Sequence, residues 1–242
     1  MNITTISGKI DYIIVIFRNY GLLDIQRELF DRYDSSEYRL IIVDNTPDNE
    51  KRPIEARPNE LVVLRNSNNE FDGVSHGSAI DYGLNFVEAD VVCILDSDFF
   101  ILDRNIHQYI MYLINQGYEA VGAEFGDETF RAKFPDKFAN IPICFCYFAR
   151  TEFAKRYTWT VSQNEVNFSN SFIETGWRFR EHVLNNNTKT LGWKIDNIGQ
   201  NTKQIYRNEF NRVVGMHYFA GSHFRLNEDI KSEFKRLCGD YV

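Results

Sequence analysis

The sequence has no surplus of basic residues. Its 242 residues carry 27 Lys and Arg against 34 Asp and Glu, a net charge of −7. A general nucleic-acid binder needs positive surface to displace counterions from phosphates, so no nucleic-acid partner is expected. A nucleotide substrate stays open, because a divalent cation neutralises a diphosphate locally. Paired cysteine motifs are missing too. Cys93, Cys144, Cys146 and Cys238 form no CxxC pair, and they read as buried free thiols of a reducing compartment rather than a zinc site. No apolar run approaches membrane-spanning length, and no basic-then-apolar leader opens the chain. The expectation is a cytoplasmic protein without a transmembrane segment, peripheral membrane contact being left open. With no long C-terminal extension either, the chain reads as a soluble enzyme or as one excised domain of a longer polypeptide. Internal repeats, low-complexity tracts and an evident interdomain linker are also lacking.

What is present fits one large α/β domain. Hydrophobic residues make up 43% and charged residues 25%, as in ordinary globular proteins. Aromatics reach 15%, with 20 Phe and 13 Tyr; most are expected in the core, the alternative being a ring-lined pocket. Apolar runs at residues 12–17 (YIIVIF), 40–43 (LIIV), 61–64 (LVVL) and 91–95 (VVCIL) predict strands buried on both faces. Helical spacing over 22–33 and 73–86 alternates with them. That order predicts a mostly parallel sheet with helices on both faces. Ligands of such sheets gather beyond the carboxyl ends of the strands, where Arg18-Asn19, Asp44-Asn45 and Asp96-Ser97-Asp98 all fall. The second half is less regular. It offers a helix at 109–115, a strand at 120–124, apolar runs at 143–149 and 213–219, a helical stretch over 169–184 and a loop at 185–187.

The sharpest local signal is VVCILDSDFFIL, residues 91–102. Two carboxylates between apolar flanks are costly to bury without a counter-charge. A hard divalent cation supplies one, taking carboxylate oxygens and leaving positions for phosphate oxygens. A solvated turn is the bland alternative, and the placement directly after a buried strand favours the cation.

Residues 66–98, N…DGVSHGSAIDYGLNFVEADVVCILDSD, resemble the central segment of GT-A-fold glycosyltransferases, especially the family-two group. Gly73, Gly77, Ala79, Asp81, Gly83, Asp96 and Asp98 occupy matching places, with Asp81 where Asn is more usual. The openings IVIFRN and IIVDN also look like that family's first two strand ends. The resemblance is close over the first half and scattered over the second. It implies a Rossmann-like nucleotide-diphospho-sugar transferase fold, with 1–102 as the nucleotide-sugar half and 103–242 as the acceptor half of a single domain.

Carried across by position, Phe17 and Arg18 border the nucleotide pocket and Asp44 accepts a hydrogen bond from base or ribose. Asn66 and Asp72 fall in the loop near the base, and His76 and Gly77 approach the diphosphate. Asp96 meets ribose or metal, and Asp98 meets metal. Turn capping is the alternative for Asp44 and Asn66. The resemblance further implies a C-terminal histidine completing the metal site: His217, with His223 as competitor. An imidazole ligand favours Mn2+ over Mg2+. Glu174 stands where inverting members carry the general base, and Trp177 would shape the acceptor pocket. Their alternatives are a helix N-terminal acid and a packed ring. The implied reaction moves a sugar from a nucleoside diphosphate-sugar, UDP-sugar first among them, to a glycan or glycolipid hydroxyl in polysaccharide synthesis. A retaining enzyme on the same fold and a catalytically silent nucleotide-sugar-binding subunit are the rivals. A nucleotidyltransferase ranks below them, because no glycine-rich basic loop follows Phe17.

Overall fold

A computed structural model of the protein describes residues 8–66, 73–124, 142–160, 177–196 and 204–217. The first half alternates as expected: β1 (Ile10–Ile16), α1 (Tyr20–Phe30), β2 (Tyr38–Asp44), β3 (Glu60–Leu64), α2 (Gly73–Leu84) and β4 (Val91–Asp96). Then come β5 (Phe99–Ile101), α3 (Ile106–Asn115), β6 (Ala120–Glu124), β7 (Pro142–Arg150) and α4 (Thr151–Ala154). The described chain closes with α5 (Trp177–Asn186), β8 (Thr190–Asp196), β9 (Gln204–Arg207) and β10 (Val213–His217).

Every residue of β1 is buried, as a strand covered on both faces requires. The period of two then sorts its side chains. Ile10, Tyr12, Ile14 and Ile16 meet Leu23 and Phe30 of α1 and Ile106, Ile110 and Leu113 of α3. Ile13 and Val15 meet Ala79, Ile80 and Leu84 of α2, in a cluster that also takes Phe153 of α4 and Phe179 of α5. Helices therefore cover both faces. Each fully buried isoleucine contributes about 1.5–3 kcal/mol relative to exposure. Most of the largest buried side chains are aromatic, Trp159, Trp193, Tyr12, Tyr147 and Tyr206 among them, so the rings serve mainly as core.

The strand order is β3-β2-β1-β4-β7-β6-β8-β9-β10-β5. β1, β2, β3 and β4 pair in parallel, as do β6 and β8. All other pairings are antiparallel. The sheet is thus mixed, not mostly parallel. The parallel expectation extrapolated the strand-helix rhythm of the first half, whereas β9 and β10 are joined only by a tight turn at 208–212. So short a connection permits only an antiparallel pair. The loop expected at 185–187 is also corrected: α5 runs through Asn186, and Asn187, at φ 48°, ends it in the left-handed region that Asn tolerates.

β5 matters most for the site. Only Ser97 and Asp98 separate it from β4, yet it stands six places away in the strand order. Six flat strand spacings would span about 28 Å, while the chain from residue 96 to 99 reaches at most about 11 Å. The sheet therefore curls back on itself, and α1 fills the fold of the curl. Leu22, Ile25 and Leu29 pack on Phe100, Leu102, Ile205 and Met216, the opposite side from Leu23 and Phe30.

Candidate active site

Asp44 and Asp96 end the strands on either side of β1, opposite Ile16 and Val15. Asp98 follows one residue beyond Ser97, and both Ser97 and Asp98 are buried. The curl brings up β10, whose last residue, His217, is 3% exposed. One ligand atom from each of Asp96, Asp98 and His217 lies within 4.8 Å of the others. His217 Nε2 is 3.3 Å from Asp98 Oδ1, and Phe145 stacks on the His217 ring at 4.1 Å and 24°. Two carboxylates and an imidazole are oxygen and nitrogen donors of the kind Mn2+ accepts. Crowding a buried acid, Asp98, and a half-buried one, Asp96, at one point without a cation would be unfavourable, so the donor set fits a divalent ion.

His76 reaches the same place from the first turn of α2, its Nε2 3.4 Å from Asp96 Oδ1. Burial pulls its pKa down to about 4, against the opposing pull of the Asp98 charge. At neutral pH this is a neutral ring beside a carboxylate, not an ion pair. Gly77, next on the helix, faces the protein interior: a Cβ there would sit 2.2 Å from the Trp159 carbonyl oxygen. Asp81, one turn on, accepts hydrogen bonds from Trp159 N at 2.7 Å, Thr160 N at 3.0 Å and the hydroxyls of Thr158 and Thr160, both at 2.6 Å. At Gly83 a Cβ would meet Ile13 and Val43 at 2.9 and 3.0 Å. The spaced glycines and Asp81 thus press α2 onto β1, β2 and the 158–160 segment, which holds His76 at the strand tips.

At the end of β2, Asp44 is fully buried. Its Oδ1 accepts from Thr46 N and its Oδ2 from the Tyr20 hydroxyl, both at 3.0 Å. The turn-capping geometry is therefore present, and each carboxylate oxygen keeps a lone pair for a further donor. Arg18 adopts φ 65° and its N–H donates to Thr46 Oγ1 at 2.9 Å. Its guanidinium lies 4.7 Å from the centre of the Phe17 ring and pairs with Glu50 at 2.6 Å. With its amide oriented to donate, Asn66 reaches Asp48 Oδ1 and Oδ2 at 2.6 and 2.5 Å. Asp72, Glu174 and His223 lie outside the described residues, as does the side chain of Trp177 at the start of α5.

Sequence reasoning missed two residues. Arg65, just past β3, donates to Asn45 and, at 2.7 Å, to Ser78. Both are neutral, and burial lowers its pKa. Its signal was an arginine directly after an apolar run. Gln26, inside α1, is 0% exposed and bonds to the main chain between β4 and β5; nothing in its spacing separated it from a solvent-facing polar residue.

A sheet whose parallel strands end in acids, covered on both faces and curled to bring a histidine to them, is an α/β domain of the GT-A class. The chain belongs to glycosyl transferase family 2, whose sequence model matches residues 12–134. Among solved structures it is similar to the mannosyltransferase PcManGT from Pyrobaculum calidifontis in complex with GDP-Man and Mn2+, at 14% identity and TM-score 0.45, covering 62% of this chain and 48% of that one. It is also similar to S. aureus TarS 1-349 in complex with UDP-GlcNAc, at 14% identity and TM-score 0.45, covering 64% and 48%. The chain thus spans about half the length of either structure. A search of curated proteins gives no match. Among the described residues no helix is long and apolar enough to cross a membrane, which leaves β-barrels unaddressed.

Proposed function

We propose that this domain transfers a sugar from a nucleoside diphosphate-sugar to an acceptor hydroxyl with inversion, using a divalent cation held by Asp96, Asp98 and His217. The observation that carries the reading is the convergence of those three ligand atoms within 4.8 Å, from strands more than a hundred residues apart. When bound, Mn2+ or Mg2+ supplies positive charge where the departing diphosphate gains negative charge. The protein's own groups do the rest. Asp44 and the Phe17-Arg18 corner receive the nucleoside, with Asn66 and Asp72 beside the base, and His76 offers a neutral ring on the diphosphate side. Glu174 takes the proton from the acceptor hydroxyl as its oxygen bonds to the anomeric carbon. The bond from that carbon to the diphosphate breaks, and the nucleoside diphosphate leaves. Trp177 shapes the acceptor pocket. A glycan or glycolipid acceptor and a role in polysaccharide assembly belong to the same reading.

The test is a thermal-shift panel of nucleotide sugars with and without Mn2+, followed by assays for released nucleoside diphosphate. A ligand that prefers the folded state raises Tm, so the cognate donor should raise it only when Mn2+ is present. Asp98→Ala should lose that Mn2+-dependent shift and all transfer while keeping a native circular dichroism spectrum. Full activity in the variant would overturn the metal assignment.

A further inference from the structure

Gln26 sits in the middle of α1, fully buried, with the apolar Leu22, Ile25 and Leu29 on neighbouring turns. Its Nε2 donates to the Phe99 carbonyl oxygen at 2.5 Å and faces those of Asp96 at 3.3 Å and Ser97 at 3.5 Å. A carboxamide has two N–H donors; one serves Phe99 and the other is shared between Asp96 and Ser97. Among the described residues Gln26 Oε1 has no hydrogen-bond partner, an expensive arrangement in a buried position. A leucine or methionine would fill the space without that cost. What the amide adds is a grip on the peptide units that carry the two acids.

α1 is also anchored at its other end. The Tyr20 hydroxyl donates to Asp44 at 3.0 Å and accepts from Arg52 N at 3.0 Å. Arg27, next to Gln26 but turned away, pairs with Glu60 at 2.6 Å and donates to the Glu55 carbonyl at 2.9 Å. The helix is therefore a fixed base, and Gln26 is its contact with the turn between β4 and β5.

We propose that Gln26 is a positioning residue for the cation ligands: it fixes the main chain of residues 96–99 so that the Asp96 and Asp98 carboxylates meet His217. This inference rests on the metal-dependent reading above. Removing a group that orients metal ligands weakens metal affinity by about ten- to a hundredfold.

The experiment titrates the full chain with Mn2+ alone and follows free Mn2+ by its electron paramagnetic resonance signal, so no transfer assay is needed. Four proteins are compared: wild type, Asp98→Ala, Gln26→Met and Arg27→Met. Gln26→Met keeps the side-chain bulk and removes the donor. Arg27→Met breaks another, largely buried anchor of the same helix away from the acids, and so reports what loss of stability alone does. Gln26→Met should raise the Mn2+ Kd by at least about tenfold, while Arg27→Met should bind as wild type does. Gln26→Asn, which keeps the amide but withdraws it by one methylene, should fall between Gln26→Met and wild type, and it replaces Gln26→Met if that variant does not fold. Wild-type affinity in Gln26→Met, or equal weakening in both methionine variants, overturns the positioning role and leaves the metal reading standing. No Mn2+ binding by wild type overturns the metal reading itself, and this inference with it.

Discussion

At Gly77 an added methyl would collide with main chain, the Trp159 carbonyl oxygen at 2.2 Å, whereas at Gly83 it would meet side chains of Ile13 and Val43 at 2.9 and 3.0 Å. Side chains can repack and a clamped peptide cannot. Gly83→Ala should therefore cost about 1–3 kcal/mol from overpacking, less about 1 kcal/mol regained in helix propensity. Gly77→Ala should cost clearly more and displace His76 with the helix; urea denaturation of the two variants gives the ranking. His107 makes a second prediction at this scale. It is 1% exposed, and burial lowers its pKa to about 4 from 6.5. The Tyr12 phenol, held protonated by burial, shares a hydrogen bond with His107 Nε2 at 3.1 Å, and Glu37 lies 3.5 Å from Nδ1. The unfolded chain takes up a proton at His107 below about pH 6.5, while the folded chain resists until about pH 4. Stability from this group is thus complete above the upper value and lost as pH falls through the window, on the order of 3 kcal/mol in total. His107→Gln should flatten the dependence of unfolding free energy on pH between those limits, and an unchanged slope would remove the histidine from the account.

At the scale of elements, Asp81 ties α2 to the segment after α4 by four hydrogen bonds. Hydrogen bonds to a charged acceptor contribute about 1.5–3 kcal/mol each at most. Because several donors lose their partner together, Asp81→Ala should destabilise by about 3 kcal/mol or more. Asp81→Asn should do less, since its one remaining oxygen still serves some of the donors. Chemical denaturation measures both. These elements also show where sequence reading succeeds. The uninterrupted apolar runs of β1, β2 and β4 can only be strands covered on two faces, and acids placed at their ends stand out because nothing apolar explains them. Asp96 and Asp98 were legible for that reason. His217 needed the family resemblance, since one histidine after a short apolar run has no local signature. β5, β8 and β9 were invisible: three residues of FFI inside a longer apolar stretch carry no period, and TLGWKID and QIYR are only partly buried. Gln26 was missed because a polar residue on a helix looks like solvent-facing surface until the packing around it is seen, and Asp81, legible by position, shows its hold on the 158–160 segment only in that packing.

For the molecule as a whole, the proposed ligands come from both halves of the chain, so a bound cation would join them. Adding EDTA to protein prepared with Mn2+ should lower Tm, the loss being about 2.7 kcal/mol if the metal had stood at a hundredfold its Kd. The same treatment should leave His217→Ala nearly unmoved, and differential scanning calorimetry decides. The curled sheet carries a consequence for biosynthesis. β5 finds its only strand partner among the described residues in β10, so the two acids emerge from the ribosome more than a hundred residues before the strand that brings them their histidine. A nascent chain halted between residues 98 and 213 holds both carboxylates at an unclosed seam, and capture of the proposed cation would have to wait for β10 to dock.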